Sequence, residues 1–262
     1  VTAASRSTVD LFDAGAVAAA VRGCDVIINL ATSIPPSSRA LLPGAWRATN
    51  RIRKHVPRIL VDVARRTGVR RVIQESFAPA YPDCGDRWID ETTPVAPVRY
   101  NSGVADAEAA VQSFGEGVVL RFAYFYGPDS DFLQDMIRYA RKGWAANIGD
   151  PDAFISSVTH DDAAAAVVAA LTIPPGTYNV ADDEPVTRRE FFRLLAETVG
   201  APSPRFPPAW TKHLLGGLGR TLARSQRISN RKLRATGAWA PRTPSVREGF
   251  SRMLPDASRS AA

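Results

Sequence analysis

Val72-Ile73-Gln74-Glu75-Ser76, then Tyr100, then Leu120-Arg121-Phe122-Ala123-Tyr124-Phe125-Tyr126-Gly127-Pro128 are the pieces that decide the fold. The first and last are β-branched and aromatic runs of strand composition, the last ending at a Gly-Pro break. Between them Ser102 is placed to cap a helix through Val111. A strand, a helix and a second strand in that order call for two parallel strands joined by a crossover.

The same alternation continues in both directions. Upstream, Asp13 can cap a helix over 14–22 that Gly23 stops, and Cys24-Asp25-Val26-Ile27-Ile28-Asn29-Leu30 follows as an apolar strand buried on both faces. A Ser/Pro loop over 32–38 leads to a helical pattern over 46–67. Its apolar positions are Ile52, Val56, Ile59, Leu60 and Val63, with Pro57 kinking or resetting it and Gly68 closing it. The next strand spans 69–74. Downstream, 117–122 is a strand, and Asp131 is expected to cap a helix over 132–141 with the stripe Phe132, Leu133, Met136 and Ile137. Thr187-Arg188-Arg189-Glu190 fits a capping box before Phe191, Leu194, Leu195 and Val199, with Gly200 at the exit. Beyond Gly200 the texture is Pro, Gly and Arg with short helical pieces, and 254–262 reads as a frayed tail. The fold class is therefore α/β: a parallel sheet flanked by helices.

Composition narrows the function. The chain has 262 residues, 45% hydrophobic and 23% charged, an ordinary soluble balance. No run approaches the ~20 apolar residues that span a bilayer, and the first residues show no secretory signal. Cys24 reads as a core thiol rather than a disulfide partner, which suits a reducing cytoplasm. The net charge of +7 comes from 33 basic residues, only four of them lysine, spread along the chain without a binding motif, so no nucleic-acid partner is expected. No His/Cys spacing suits a metal.

These elements resemble the extended short-chain dehydrogenase/reductases, in their NAD-dependent epimerase/dehydratase branch. Val9-Asp10-Leu11-Phe12-Asp13 resembles the family's third strand, and Asp25-Val26-Ile27-Ile28-Asn29-Leu30-Ala31 its fourth strand and the turn under the nicotinamide-side ribose. The 120–128 stretch resembles the sixth strand with its Tyr-Gly-Pro exit. Ser157-Val158-Thr159-His160 and Gly176-Thr177-Tyr178-Asn179-Val180 resemble a late helix entry and the strand after it. The 225–232 and 241–249 segments resemble the terminal substrate lobe. The resemblance implies a Rossmann-like sheet domain over 1–183, with 129–150 contributing to the substrate lobe, and a C-terminal lobe and tail over 184–262. It implies NAD or NADP as cofactor, a small-molecule substrate, and no membrane partner; a homodimer is the oligomer it allows for. Asp10, Leu11, Asn29, Leu30, Ala31, Thr32, Tyr100, Phe122, Ala123 and Tyr124 are the implied cofactor contacts, and Tyr100, Ser76 and Glu75 the implied catalytic groups.

Two departures qualify this. Family members open with a strand, a Gly-x-x-Gly-x-x-Gly turn and a helix whose N-terminus holds the pyrophosphate. No such turn precedes Asp10. The strand–helix–strand–helix it belongs to needs roughly 50–60 residues, so the sheet domain is read as N-terminally incomplete. Residues 8–11 then form an orphaned strand, and the 26–30 strand an apolar edge. The second departure is at the site: the family's lysine, one turn after the tyrosine, is Val104 here. A phenol with pKa about 10 is a poor base at neutral pH, and a cation within ~4–6 Å lowers it by roughly 1–3 units. Glu75 is either a replacement proton acceptor or a paired carboxylate; Phe77 competes with Ser76 for the family's serine position. Tyr100 is either an acid/base or an aromatic wedge, and His160 a structural histidine. The Arg227–Lys232 cluster either holds a phosphate or is a solvated face. Two functions stay open: an oxidoreductase, epimerase or dehydratase acting on a hydroxyl or carbonyl carbon of a small or sugar-like substrate, and a non-catalytic NAD(P)-binding sensor or scaffold.

Without a pyrophosphate cradle, the 262-residue polypeptide is expected to bind NAD(P) weakly or not at all. Calorimetric titration checks this, and a micromolar dissociation constant would contradict it.

Overall fold

The computed structural model describes residues 2–253, apart from 6, 37, 38, 41, 43, 147 and 215. The 254–262 tail and part of the Ser/Pro loop lie outside the described residues. In chain order the helices and strands are α1 (Ala14–Ala20), β1 (Val26–Asn29), α2 (Arg47–Thr67), β2 (Arg71–Phe77), β3 (Trp88–Ile89), α3 (Gly103–Gln112), β4 (Gly117–Phe122), β5 (Tyr124–Tyr126), α4 (Asp131–Arg141), β6 (Phe154–Ile155), β7 (Ser157–Thr159), α5 (His160–Ala169) and β8 (Gly176–Val180). Then follow β9 (Val186–Thr187), α6 (Arg188–Thr198), α7 (Gly216–Leu222), β10 (Arg227–Ile228), α8 (Arg231–Arg234) and α9 (Val246–Met253).

The main sheet has the order β1-β2-β4-β8 and is parallel throughout. Its register sets Ile28 against Ile73, Ile73 against Val118, and Leu120 against Tyr178. One face buries Val72 and Val119 under Val17 of α1, Ile52, Val56, Leu60 and Val63 of α2, and Val111 of α3. The other packs Ile73, Leu120 and Val180 against Ala163 and Ala166 of α5, with Leu233 and Trp239 from the C-terminal segment. A third cluster joins Leu133, Met136 and Ile137 of α4 to Phe191 and Leu195 of α6 and Phe250 of α9. Short pairs β5–β7, β6–β9 and β3–β10 stitch this cluster and the C-terminal segment to the sheet.

Local chemistry explains most of the boundaries. Asp13 caps α1 by accepting from Gly15 and Ala16 N–H, and Gly68 ends α2 in a left-handed conformation with φ 78° that other residues rarely adopt. Helix α2 runs through Pro57 without a break. Four expectations are corrected. Residues 8–11 form no strand: an extended segment needs a ladder partner for its backbone groups, and none stands beside it. Val9 and Leu11 instead pack on the α1–α2 cluster. Ser130, not Asp131, caps α4, because Ser130 is the extended residue whose hydroxyl accepts from Leu133 N–H. Ser102 gives α3 no side-chain cap; Asn50 Oδ1 accepts from Gly103 N–H instead. The capping box at α6 is half made: Thr187 accepts from Glu190 N–H, while the Glu190 carboxylate pairs with Arg193 and Arg247. Cys24 and Cys84 are both free thiols. No described helix is long and apolar enough to cross a membrane.

Among the described residues β1 pairs on one side only, and Ile28 and Leu30 are 40% and 51% exposed beside that open edge. An apolar strand edge without a charged or proline gatekeeper templates pairing with another chain. Self-association that rises with concentration is expected in sedimentation, and Ile28→Lys should suppress it. A monomer at every concentration would count against the edge.

Asp182, just past the end of β8, is 2% exposed, and its Oδ1 has no hydrogen-bond partner. Burial first, then the neighbouring Asp183 and Glu184, raise its carboxyl well above the usual carboxylate range. The folded state therefore holds a proton that the unfolded chain releases near its ordinary value of about 3.9. Stability from this group falls as pH climbs from there through the raised folded value. Asp182→Asn should remove that slope, so urea midpoints at about pH 5 and about pH 8 should converge in the variant relative to wild type. An unchanged difference would show Asp182 to be ionised in the fold.

Candidate functional site at the carboxyl end of the sheet

Tyr100 lies in a tight turn, Arg99–Asn101, just before α3. Asn50 of α2 holds that turn: its Nδ2 donates to Arg99 O at 3.2 Å and Tyr100 O at 3.0 Å, while its Oδ1 accepts from Gly103 N–H at 3.1 Å. Asn101 Oδ1 accepts from Val98 N–H. The two helices meet so closely that a Cβ on Gly103 would stand 2.8 Å from Asn50 O and 2.9 Å from Arg53 Cβ. Glycine at 103 is thus a packing requirement. The Tyr100 ring stands edge-on to Trp46 at 5.1 Å. Its hydroxyl is buried and makes no hydrogen bond. Burial, with a smaller push from Tyr124, raises the phenol far above its ordinary value; Arg224 and Arg53 pull it back only in part. One turn into α3, Val104 is fully buried and contributes no charge.

Glu75 and Ser76 have separate surroundings. Glu75 Oε1 accepts from Arg53 Nη2 at 2.5 Å, with the two side chains 13% and 5% exposed. Glu75 Oε2 and Arg53 Nε are buried without partners. Ser76 is committed to a buried network, donating to Glu108 Oε1 at 2.5 Å. Phe77 sits 5.8 Å below the Arg53 guanidinium and 6.3 Å, edge-on, from Tyr124. Tyr124 stacks on Phe132 at 6.2 Å; burial raises its phenol, and Arg188 and Arg224 oppose the rise. Trp46 with Tyr100 and Phe77 with Tyr124 thus form two edge-on aromatic pairs, the Phe77 ring lying under the buried Arg53 guanidinium.

The other implied cofactor residues are spread along the same edge of the sheet. Asn29 is buried, donating to Gln74 Oε1 at 2.8 Å and accepting from Ala31 N–H at 3.2 Å, so it shapes the turn after β1. Leu30 is exposed, Ala31 half-buried, and Thr32 Oγ1 buried without a partner. Asp10 is exposed, with Oδ1 accepting from Phe12 N–H, and Leu11 packs on the α1–α2 cluster. Phe122 and Ala123 are core residues, 3% and 1% exposed. His160 begins α5 and lies 3.1 Å from Asp129. Of Arg227, the guanidinium stacks 4.2 Å over Trp88 and Nε is buried without a partner. Arg53, Arg188 and Arg224 were not legible as site residues, because each sits among other arginines or in a cap sequence, and only the fold shows which guanidinium groups are buried.

The fit to a dinucleotide is partial. Thr32 Oγ1 and Tyr100 OH are orphaned hydroxyls at the carboxyl ends of the strands, where open α/β sheets bind ligands. They suit the nicotinamide and its ribose. Among the described residues no glycine-rich turn between a strand and a helix cradles a pyrophosphate. Two cavities of about 620 and 400 Å³, the first lined by Trp88, Glu91, Gln112 and Lys232 and the second by Ile173, Tyr178 and Lys232, border the amino end of β8 instead. Unpaired buried polar atoms mark a ligand site more specifically than open volume does, so the carboxyl edge is the candidate.

Comparison with known proteins agrees with this architecture. A 3-diazoavenalumate denitrifying reductase of a Streptomyces species is 32% identical over 259 residues, covering 93% of this chain and 84% of the relative. The human epimerase family protein SDR39U1, solved with NADPH, superposes with a TM-score of 0.80 at 19% identity, covering 92% of this chain and 85% of that one. The UDP-glucose 4-epimerase of Thermus thermophilus, solved with NAD, gives 0.73 at 24% identity, covering 97% and 84%. The profile of the NAD dependent epimerase/dehydratase family matches residues 2–181. The chain belongs to the NAD dependent epimerase/dehydratase family.

Proposed function

We propose that the protein is an NAD(P)-dependent reductase of a small aromatic substrate, with Tyr100 as a proton donor rather than a base. The observation that carries this is the state of Tyr100: its phenol is buried, unpartnered and raised, with Val104 where a cation would make it a base. A general base must lose its proton near the working pH, and such a phenol does not. A neutral phenol holds the proton that carbonyl reduction needs, and because burial also makes that proton harder to release, its transfer requires positive charge to meet the phenolate. Reduced nicotinamide, when bound, supplies the hydride.

The remaining roles follow from the chain's own residues. Asn50 and Asn101 fix the turn that carries Tyr100. Thr32 Oγ1, buried without a partner, is assigned to a ribose hydroxyl. Trp46, Phe77 and Tyr124 offer flat apolar faces that suit a planar ring. The kinship with a reductase named for a diazo compound supports the reductive direction, and the flat aromatic side chains support a planar substrate. An arenediazonium needs only hydride, since a C–H bond forms as dinitrogen leaves. A carbonyl needs hydride and a proton.

That difference provides the test. Benzaldehyde and benzenediazonium are offered with NADPH, raised until the rate saturates, and loss of reduced-cofactor absorbance is followed. Tyr100→Phe should lower carbonyl reduction by about 10²–10⁴-fold, the usual share of a general acid, and leave diazonium reduction nearly unchanged. Equal activity of both proteins on the aldehyde would remove Tyr100 from proton transfer. Val104, where the resemblance implies lysine, favours one second reading, the non-catalytic sensor. Cofactor binding without turnover of either compound would establish it.

A further inference from the structure

The main sheet ends at β8, and two charged side chains cover its outer edge. Alternate residues of a strand turn their backbone groups to the same side, so Thr177 and Asn179 present neighbouring groups along that edge. Lys232 Nζ donates to Thr177 O at 2.8 Å, and Glu91 Oε1 accepts from Asn179 N–H at 2.7 Å. Together they meet β8 as a neighbouring strand would, with one donor and one acceptor. Each uses only part of its bonding capacity. The ammonium keeps two N–H donors and the carboxylate its second oxygen.

Both groups line the cavity of about 620 Å³ at the amino end of β8, together with Asp90, Arg231 and Trp88. Two carboxylates and two cations thus face one space. Among the described residues, however, no ion pair within 4.0 Å joins either acid to either base. Asp90 is taken up by its own turn, accepting from the Thr92 N–H and hydroxyl. Burial raises the Glu91 carboxyl above its ordinary value, although the Asn179 N–H and, more weakly, Lys232 favour its charged form. Trp88 adds an apolar wall: the Arg227 guanidinium lies over its ring at 4.2 Å, and the residue is still 46% exposed.

Opposite charges that served only to cover an edge would close on each other; held apart around a cavity, they call for a ligand with both signs. We infer that this cavity is a second binding site, separate from the one that holds Tyr100, for a free aromatic α-amino acid. Its carboxylate accepts from Lys232 and Arg231, its ammonium donates to the free oxygen of Glu91, and its ring lies against Trp88. An α-amino acid carries its two charges on one carbon, which matches the close spacing that adjacent ladder groups impose on Lys232 and Glu91. The volume falls within the roughly 300–1,000 Å³ of ordinary small-molecule sites. Tyr100, Thr32 and Glu75 belong to the opposite end of the sheet, so the inference stands apart from the reductase reading.

Proton–nitrogen NMR of the full chain, titrated with L-phenylalanine, tests it. Saturable shifts are expected at the Thr177 and Asn179 amides and at the Trp88 indole N–H, the last identified by its loss in Trp88→Phe. N-acetyl-L-phenylalanine lacks the ammonium, and L-phenylalanine amide lacks the carboxylate. Each should bind at least about 10-fold more weakly, as when a hydrogen bond to a charged group is lost. Glu91→Gln keeps an acceptor for Asn179 N–H, and Lys232→Gln keeps a donor for Thr177 O, so the edge stays covered in both. Glu91→Gln should weaken the amino acid and leave the N-acetyl compound unchanged; Lys232→Gln should weaken it and leave the amide unchanged. Folded variants that bind L-phenylalanine like wild type would overturn the proposal. So would equal binding of the three compounds, or no saturation of wild type at millimolar concentration. Shifts confined to the Trp46 indole would put the ring in the site at the carboxyl end and overturn it as well. Should a variant fail to fold, the three compounds on wild type still decide, because their comparison needs no substitution.

Discussion

The buried pair of Arg121 and Glu108 is the constraint on which the rest of the site depends. Arg121 stands on the central strand β4 and Glu108 on α3, each about 5% exposed. Their contact is two-pronged: Nε to Oε1 at 2.9 Å and Nη2 to Oε2 at 2.7 Å. Arg121 Nη1 also donates to Tyr81 OH, which donates to Asn179 Oδ1 on β8, while Ser76 of β2 donates to Glu108. One network thus ties three adjacent strands to the helix that follows Tyr100. Burial and its bonds have consequences at each member: the Tyr81 phenol is pushed up to about 12 by desolvation, with Arg121 acting against the rise. The guanidinium of Arg121 is held more firmly protonated by Glu108 than its burial alone would allow. Breaking such a pair from one side costs about 3–5 kcal/mol, because the charge left behind has no solvent.

That network explains why Ser76 belongs with the scaffold. Its hydroxyl completes the hydrogen bonding of a buried carboxylate, and a buried polar group in a satisfied network is expensive to reassign. The orphaned atoms tell the opposite story. Thr32 Oγ1, Arg53 Nε, Glu75 Oε2 and Tyr100 OH are buried with no partner. They come from the turn after β1, from α2, from the end of β2 and from the turn before α3. Asn101 Nδ2, Asp182 Oδ1 and Arg227 Nε are likewise buried without partners, so the orphaned atoms are not confined to these four segments.

Helix contact sets the fine geometry. Because Gly103 lets α2 approach α3, Asn50 can grip the Tyr100 turn through three hydrogen bonds, and Arg53 packs its Cβ against that glycine while its guanidinium reaches Glu75. A side chain at 103 would force the helices apart and move both groups together. The positive charge near Tyr100 therefore arrives from a neighbouring helix and from the loop carrying Arg224, across long separations in sequence.

The sequence by itself determined the α/β class, the order of the main elements and the caps at Asp13, Gly68 and Thr187, because apolar periodicity and capping chemistry act over a few residues. Tyr100 and the valine four residues on stand out through the family resemblance and not through local pattern. The sequence misjudged residues 8–11, whose β-like composition meant nothing without a neighbouring strand, and Asp131, one residue off the cap. Only the tertiary structure decided that Glu75 is tied to Arg53, that Ser76 serves Glu108, that Phe122 is core and Tyr124 lies near Tyr100, and that Asp182 is desolvated. Each of these depends on groups brought together from distant parts of the chain, where pairing and loss of solvent set the chemistry and no short-range pattern records them.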